Sequence, residues 1–194
     1  MKLTSQSKRE VILRAAEGIF LKKGFFPTRV DDIARVAKVA KGTVYLYFPD
    51  KESIYLALFA QKIDEGISFL KTVAKGSASP KMKLTRIFDH WLSNLAKSKG
   101  LSSFFSIENI NLGEKIVKRV RCEVFPRVKE MMRIIAQIIR EGIERKEFRE
   151  TNPELTALSF LHLVHLGLIY QAFTGKLKEK KGVIKDLFFK GVEV

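Results

Sequence analysis

A single cysteine in 194 residues, Cys122, excludes an intramolecular disulfide framework. Nothing at the N-terminus has the layout of a secretory signal peptide, and the two absences together predict a cytoplasmic protein. Cys122 lies among Lys118, Arg119 and Arg121, a setting that could lower its pKa for redox sensing. A lone cysteine on a helix is more often an inert small residue, and that reading is adopted. Histidine is scarce as well. His162 and His165 stand three apart and could share a metal, but the third, His90, is distant, so they read as buried or interfacial side chains. A phosphate-cradling glycine loop and a nucleophile elbow are both missing. These gaps predict a protein that is not an enzyme, with no cofactor and no metal. Acidic residues are in deficit, 21 against 36 basic, and the net charge of +15 favours an anionic partner. Residues 1 to 50 carry ten basic and five acidic groups, so the excess is spread along the chain and does not locate the site.

What is present is concentrated between residues 28 and 52. Val30, Ile33, Ala34 and Ala37 share one face of a short helix, and Val39 and Val44 turn inward from the next. Lys41, Gly42, Thr43, Tyr45, Leu46 and Tyr47 are left for the outside. A purely structural helix rarely exposes so many aromatics together, so the pair reads as a helix-turn-helix, whose second helix enters a DNA major groove. An ordinary helical hairpin is the alternative. The flanks decide against it. Ser7 and Glu10 form a capping-box pattern before an apolar stripe from Val11 to Phe20. Gly24 closes that helix, and Asp50 caps another beginning at Lys51.

The residues Ile12, Ala15, Ala16, Phe20, Gly24, Phe25, Thr28, Ile33, Ala34, Ala37, Val39, Lys41, Gly42, Thr43, Tyr45, Phe48, Lys51 and Glu52 resemble the TetR family of bacterial repressors. The run covers about a quarter of the chain; the rest resembles the family in length, helical character and layout. Three positions depart from its pattern. Lys38 stands where the family usually has the glycine of the tight turn, and a left-handed conformation there costs a non-glycine residue roughly 1 kcal/mol. Ala40 replaces the usual Ser or Thr cap, at about 1 kcal/mol. Arg29 replaces a second hydroxyl after Thr28 and can add a phosphate contact.

Beyond residue 50 the pattern is helical, with little strand alternation, so the chain is all-α: residues 1–50 form the DNA-binding domain and 51–194 a helical effector-binding and dimerisation domain. One helix should run from residue 50 to about 75. Ser79 and Pro80 open the next, with Leu84, Ile87, Phe88, Trp91, Leu92 and Leu95 as its stripe and Gly100 as its end. A short element from Ser102 to Ile110 precedes one from Glu114 to Lys146, which Pro126 should kink or divide. Residues 147–151 form a loop, Asn152 and Pro153 start another helix, and the last covers Lys178 to Phe189. Leu155 to Gly175 contains no charged side chain over 21 residues. That length would allow a membrane span, but six polar side chains oppose insertion and no second span exists. A helix apolar on nearly all sides is buried on nearly all sides. One half faces its own domain, and the other predicts a homodimer without membrane association, with Leu161, Leu168 and Leu187 at the interface. The family resemblance likewise implies a four-helix dimer contact from the last two long helices of each subunit.

On this reading two recognition helices enter successive major grooves of a near-palindromic double-stranded operator. Thr28, Arg29, Tyr45, Tyr47 and Lys51 anchor phosphates, while Lys41, Gly42, Thr43 and Leu46 approach base edges. The resemblance also implies that the helices carrying Phe88 with Trp91, and His162 with Tyr170, enclose an effector. Phe104, Phe105 and His165 are further candidates, and His90, Asn94 and Gln171 are possible polar handles. An apolar or amphipathic small molecule is therefore expected. An activator of the same fold and a helical RNA-binding protein are the alternatives.

Overall fold

The computed structural model describes residues 5–97 and 114–194, and the expected glycine stop at Gly100, the short element from Ser102 to Ile110, Phe104 and Phe105 lie outside them. Among the described residues the chain is all-α: α1 (Ser5–Lys23), α2 (Val30–Ala37), α3 (Lys41–Tyr47), α4 (Lys51–Lys75), α5 (Pro80–Lys97), α6 (Glu114–Glu123), α7 (Phe125–Glu144), α8 (Pro153–Thr174) and α9 (Leu177–Val192). An isolated antiparallel bridge joins Phe148 to Glu193.

The helices group into two compact units. The first comprises the described residues up to Lys62 together with α6 and Val124; the second comprises the described residues from Ile63 to Lys97 and from Phe125 onward. The division falls inside α4. The reason is that the first turns of α4 complete the core of the N-terminal helices. Ile54, Tyr55 and Leu58 are buried there, and the Tyr55 ring lies 6.0 Å from Phe20 and 5.0 Å from Phe25. Burial raises the Tyr55 phenol pKa above its ordinary value.

Local signals set the boundaries of most elements. Ile12, Leu13, Ala16 and Phe20 form the buried stripe of α1. Gly24 ends it at φ 82°, its N–H donating to the Phe20 carbonyl at 2.8 Å. The helix begins at Ser5, so Ser7 sits inside its first turn and not at the expected cap. Asp50 caps α4 by accepting from the Ser53 N–H at 2.7 Å. The Val124 break separates α6 from α7, with Pro126 in the first turn of α7, where its missing N–H costs nothing.

The tight turn after α2 places Lys38 at φ 54°, ψ 43°, the left-handed region disfavoured for a residue with a β-carbon. Ala40 caps α3 without a side-chain hydrogen bond. Lys38→Gly is therefore expected to stabilise the protein by about 1 kcal/mol, read as a higher urea midpoint with an unchanged slope. An unchanged midpoint would show that the turn carries no such strain.

In the second unit α5, α7, α8 and α9 enclose a core that includes Leu84, Ile87, Phe88, Leu92, Ile135, Ile139 and Phe160. Asn152 caps α8 through its side-chain oxygen, 2.8 Å from the Leu155 N–H, with Pro153 in the first turn. Gly167 packs closely: a β-carbon there would lie 2.7 Å from Leu92 Cδ2, so that side chain would have to shift. Ala157, Phe160, Gly167 and Leu168 form the inner face of α8. Leu168, expected at a dimer contact, is 5% exposed in the single chain. Leu161 is half-buried, and Leu187 on α9 is exposed. Among the described residues α8 is the one helix long and apolar enough to cross a bilayer.

Candidate nucleic-acid interface

The helix-turn-helix is built from α2, the turn at Lys38 and α3. Ile33, Ala34, Ala37 and Val44 are buried on its inner side. That packing turns the other side of α3 outward: Lys41, Gly42, Tyr45 and Leu46 are exposed, with Leu46 84% so, while Thr43 and Tyr47 are half-buried. A β-carbon added at Gly42 would meet no atom within 4 Å. The fold itself therefore makes no steric demand for glycine at that position.

The charged groups around α3 are already engaged. Lys41 Nζ donates to Asp31 Oδ2 at 3.0 Å and lies 2.9 Å from Oδ1. The hydrogen bond and charge of Asp31 raise the Lys41 pKa above the ordinary lysine value. Asp32, the other carboxylate in the first turn of α2, accepts from the Arg29 N–H at 3.4 Å and from Arg35 Nη2 at 2.7 Å. Arg29 itself is exposed at the N-cap of α2.

Two of the nine residues expected to contact DNA make internal hydrogen bonds. Thr28 is 2% exposed, and its hydroxyl donates to the Gly24 carbonyl at 2.7 Å, which ties the connector to the end of α1. Lys51 Nζ donates to the carbonyls of Phe25, Phe26 and Thr28 at 2.8, 3.1 and 3.0 Å. It also lies 4.3 Å from the centre of the Phe25 ring. An ammonium has three N–H donors, and three connector carbonyls lie within hydrogen-bond reach of this one. Burial lowers the Lys51 pKa. No spacing rule announces this arrangement. Nor does any announce Arg119 on α6, whose Nη1 donates to Ser53 Oγ at 2.6 Å beside the α4 cap.

The described residues expected around an effector all belong to the second unit. Phe88 is fully buried in an aromatic core, its ring 4.0 Å from Phe160 and 5.6 Å from Phe188. Trp91 is half-buried, edge-on to Phe160 at 6.2 Å, and Tyr170 is half-buried. His162 and His165 are exposed on the outer side of α8, opposite its inner face. Gln171 Oε1 accepts from the Leu177 N–H at 3.0 Å and so caps α9. Asn94 Nδ2 lies 3.1 Å from His90 Nε2, and the His90 ring stacks on Phe69 at 3.9 Å.

Partial burial, followed by the charge of Arg86, lowers the His90 pKa below its ordinary value of 6.5. A lowered pKa means that the native state binds the proton less readily than the unfolded chain. Its stabilising contribution is therefore complete above about pH 6.5 and is lost as the pH falls. His90→Gln is expected to flatten that part of the stability–pH curve, measured by urea unfolding between pH 5 and 8. A slope identical to wild type would remove His90 from the account.

Residues 12–58 match the family described as bacterial regulatory proteins, tetR family. The chain is 32% identical over 143 residues to the fatty acid metabolism regulator protein of Bacillus subtilis, covering 72% of this chain and 70% of that one. It is 40% identical over 65 residues to the HTH-type transcriptional regulator RutR of Escherichia coli, covering 34% of this chain and 31% of that one. The crystal structure of the Bacillus subtilis transcriptional regulator FadR in complex with stearoyl-CoA superposes with a TM-score of 0.78 at 25% identity, over 94% of this chain and 98% of the other.

Proposed function

This chain belongs to the TetR family of bacterial regulatory proteins, and on that premise we propose that it is a homodimeric repressor released from a near-palindromic operator by a long-chain acyl-CoA. It is a DNA-binding transcriptional regulator, acting in this proposal in the cytoplasm, with residues 1–50 as the reading domain and 51–194 binding effector and partner subunit. The observation that carries the DNA reading is the outward face of α3, where a small residue, an aromatic and a large aliphatic stand exposed together. Gly42, Thr43 and Leu46, with Lys41, face base edges; Arg29, Tyr45 and Tyr47 hold phosphates. Thr28 and Lys51 support the connector behind them.

Gly42 supplies the sharpest test. Glycine inside a helix costs roughly 0.5–1 kcal/mol relative to alanine, and a β-carbon there would meet open space. Gly42→Ala should therefore stabilise the free protein by about that amount. If DNA fills the open space, the same change should weaken operator binding at least tenfold. Improved stability with unaltered DNA affinity would put the DNA elsewhere.

The acyl-CoA proposal is supported by the similarity to the Bacillus subtilis fatty acid metabolism regulator and to the FadR structure from the same organism, which holds stearoyl-CoA. Release requires that the effector bind the DNA-incompetent state more tightly than the DNA-bound one. Gel retardation of a duplex from the protein's own promoter, titrated with stearoyl-CoA, stearate and free CoA, tests this. Release by stearoyl-CoA alone is the expected result; release only by a sugar or a bare metal ion would overturn it.

A further inference from the structure

The two carboxylates in the first turn of α2 have different partners. Asp32 is turned toward its own helix and α1, with side-chain exposure of 20%, and pairs with Arg35 and Lys23. Asp31 is 60% exposed and reaches across the turn to Lys41, the first residue of α3. An exposed lysine–carboxylate pair contributes little to stability. The pair therefore has little structural purpose, yet it stands at the N-terminal end of the helix proposed to read DNA.

Its chemistry suggests a purpose there. A lysine ammonium is a compact charge on a flexible stem, and on a protein of net charge +15 it would settle on any phosphate within reach. Asp31 takes up one side of that ammonium through both carboxylate oxygens, leaving the remaining N–H groups directed elsewhere. Guanine O6 and N7 are the acceptors in the major groove that suit such a donor. The same carboxylate repels a phosphate brought close to Lys41. Resting on the reading that α3 enters the major groove, we propose that Asp31 is a specificity-determining positioning residue. It holds the Lys41 ammonium for a base edge and opposes its capture by the DNA backbone.

The test compares two duplexes of equal length: the near-palindrome this protein selects from a randomised library, and a scrambled sequence of the same composition. Affinities for both are measured across a salt series. Asp31→Asn should raise affinity for the scrambled duplex about three- to tenfold and cut the selected-to-scrambled ratio at least tenfold. The salt slope on scrambled DNA should steepen by about one, the mark of one added phosphate contact. Asp31→Glu should restore the ratio, a result that a purely structural role at the helix start would not require. In a Lys41→Met background Asp31→Asn should no longer change the ratio. An unchanged ratio, or an equal effect with and without Lys41, would overturn the inference while leaving the DNA reading intact. Failure of the wild-type protein to select any duplex would overturn both.

Discussion

Replacing Leu166 and Phe173 together by aspartate is expected to yield a folded monomer whose operator affinity has fallen at least a hundredfold. Both side chains stand on the outer face of α8, where Leu166 is 44% and Phe173 86% exposed. They are seven residues apart and hence nearly in line along the helix. Leu155, Leu158 and Ile169 are exposed on the same helix, and Val183 and Leu187 on α9. Leaving such side chains in water forgoes roughly 1.5–3 kcal/mol apiece, and apolar patches of this kind mark association sites. A buried carboxylate pair in a symmetric interface would reverse that gain. Sedimentation gives the assembly state, circular dichroism the fold, and gel retardation the loss of paired-site binding. The control is Leu168→Asp, which should unfold the second unit, because that residue is buried within its own subunit. A double variant that sediments as a dimer would move the interface to another surface.

The second large effect is expected at Lys51. If its ammonium serves the connector, Lys51→Met should destabilise the first unit by about 3 kcal/mol. Three carbonyls lose a charged donor at once, and each such bond is worth about 1.5–3 kcal/mol before solvent takes its place. DNA affinity would then fall only as far as the folded fraction falls. Tyr45→Ala is the contrast: Tyr45 is exposed on α3, so its loss should weaken binding to all duplexes while leaving the urea midpoint in place. A Lys51→Met protein of wild-type stability that has lost DNA binding would make Lys51 a phosphate ligand after all.

The helix pattern was legible because its signals are local. Gly24, Asp50, Pro80 and the Asn152–Pro153 pair act within one turn of where they stand, and α4, α5 and α8 begin where these residues predict. The strain at Lys38 was legible for the same reason: a tight turn demands a left-handed residue whichever side chain occupies it. The outward set on α3 followed from the inward one, since Val44 must be covered and the exposed residues occupy the remaining face. Helix α8 offers no such asymmetry. With no charge between Leu155 and Gly175, hydrophobicity cannot choose a face. The choice fell to packing against the neighbouring helices, which buries Ala157, Phe160, Gly167 and Leu168 and leaves His162 and His165 exposed. Lys51 is a second case. The carbonyls that take its ammonium lie 23 to 26 residues earlier, exposed by the turn after Gly24 and brought within reach only when α4 packs against Phe20 and Phe25 through Tyr55. Periodicity and capping determined the helices and the outward face of α3; which polar groups remained available to a ligand was decided by tertiary packing, because a lysine or threonine donates to whichever acceptor the fold brings nearest.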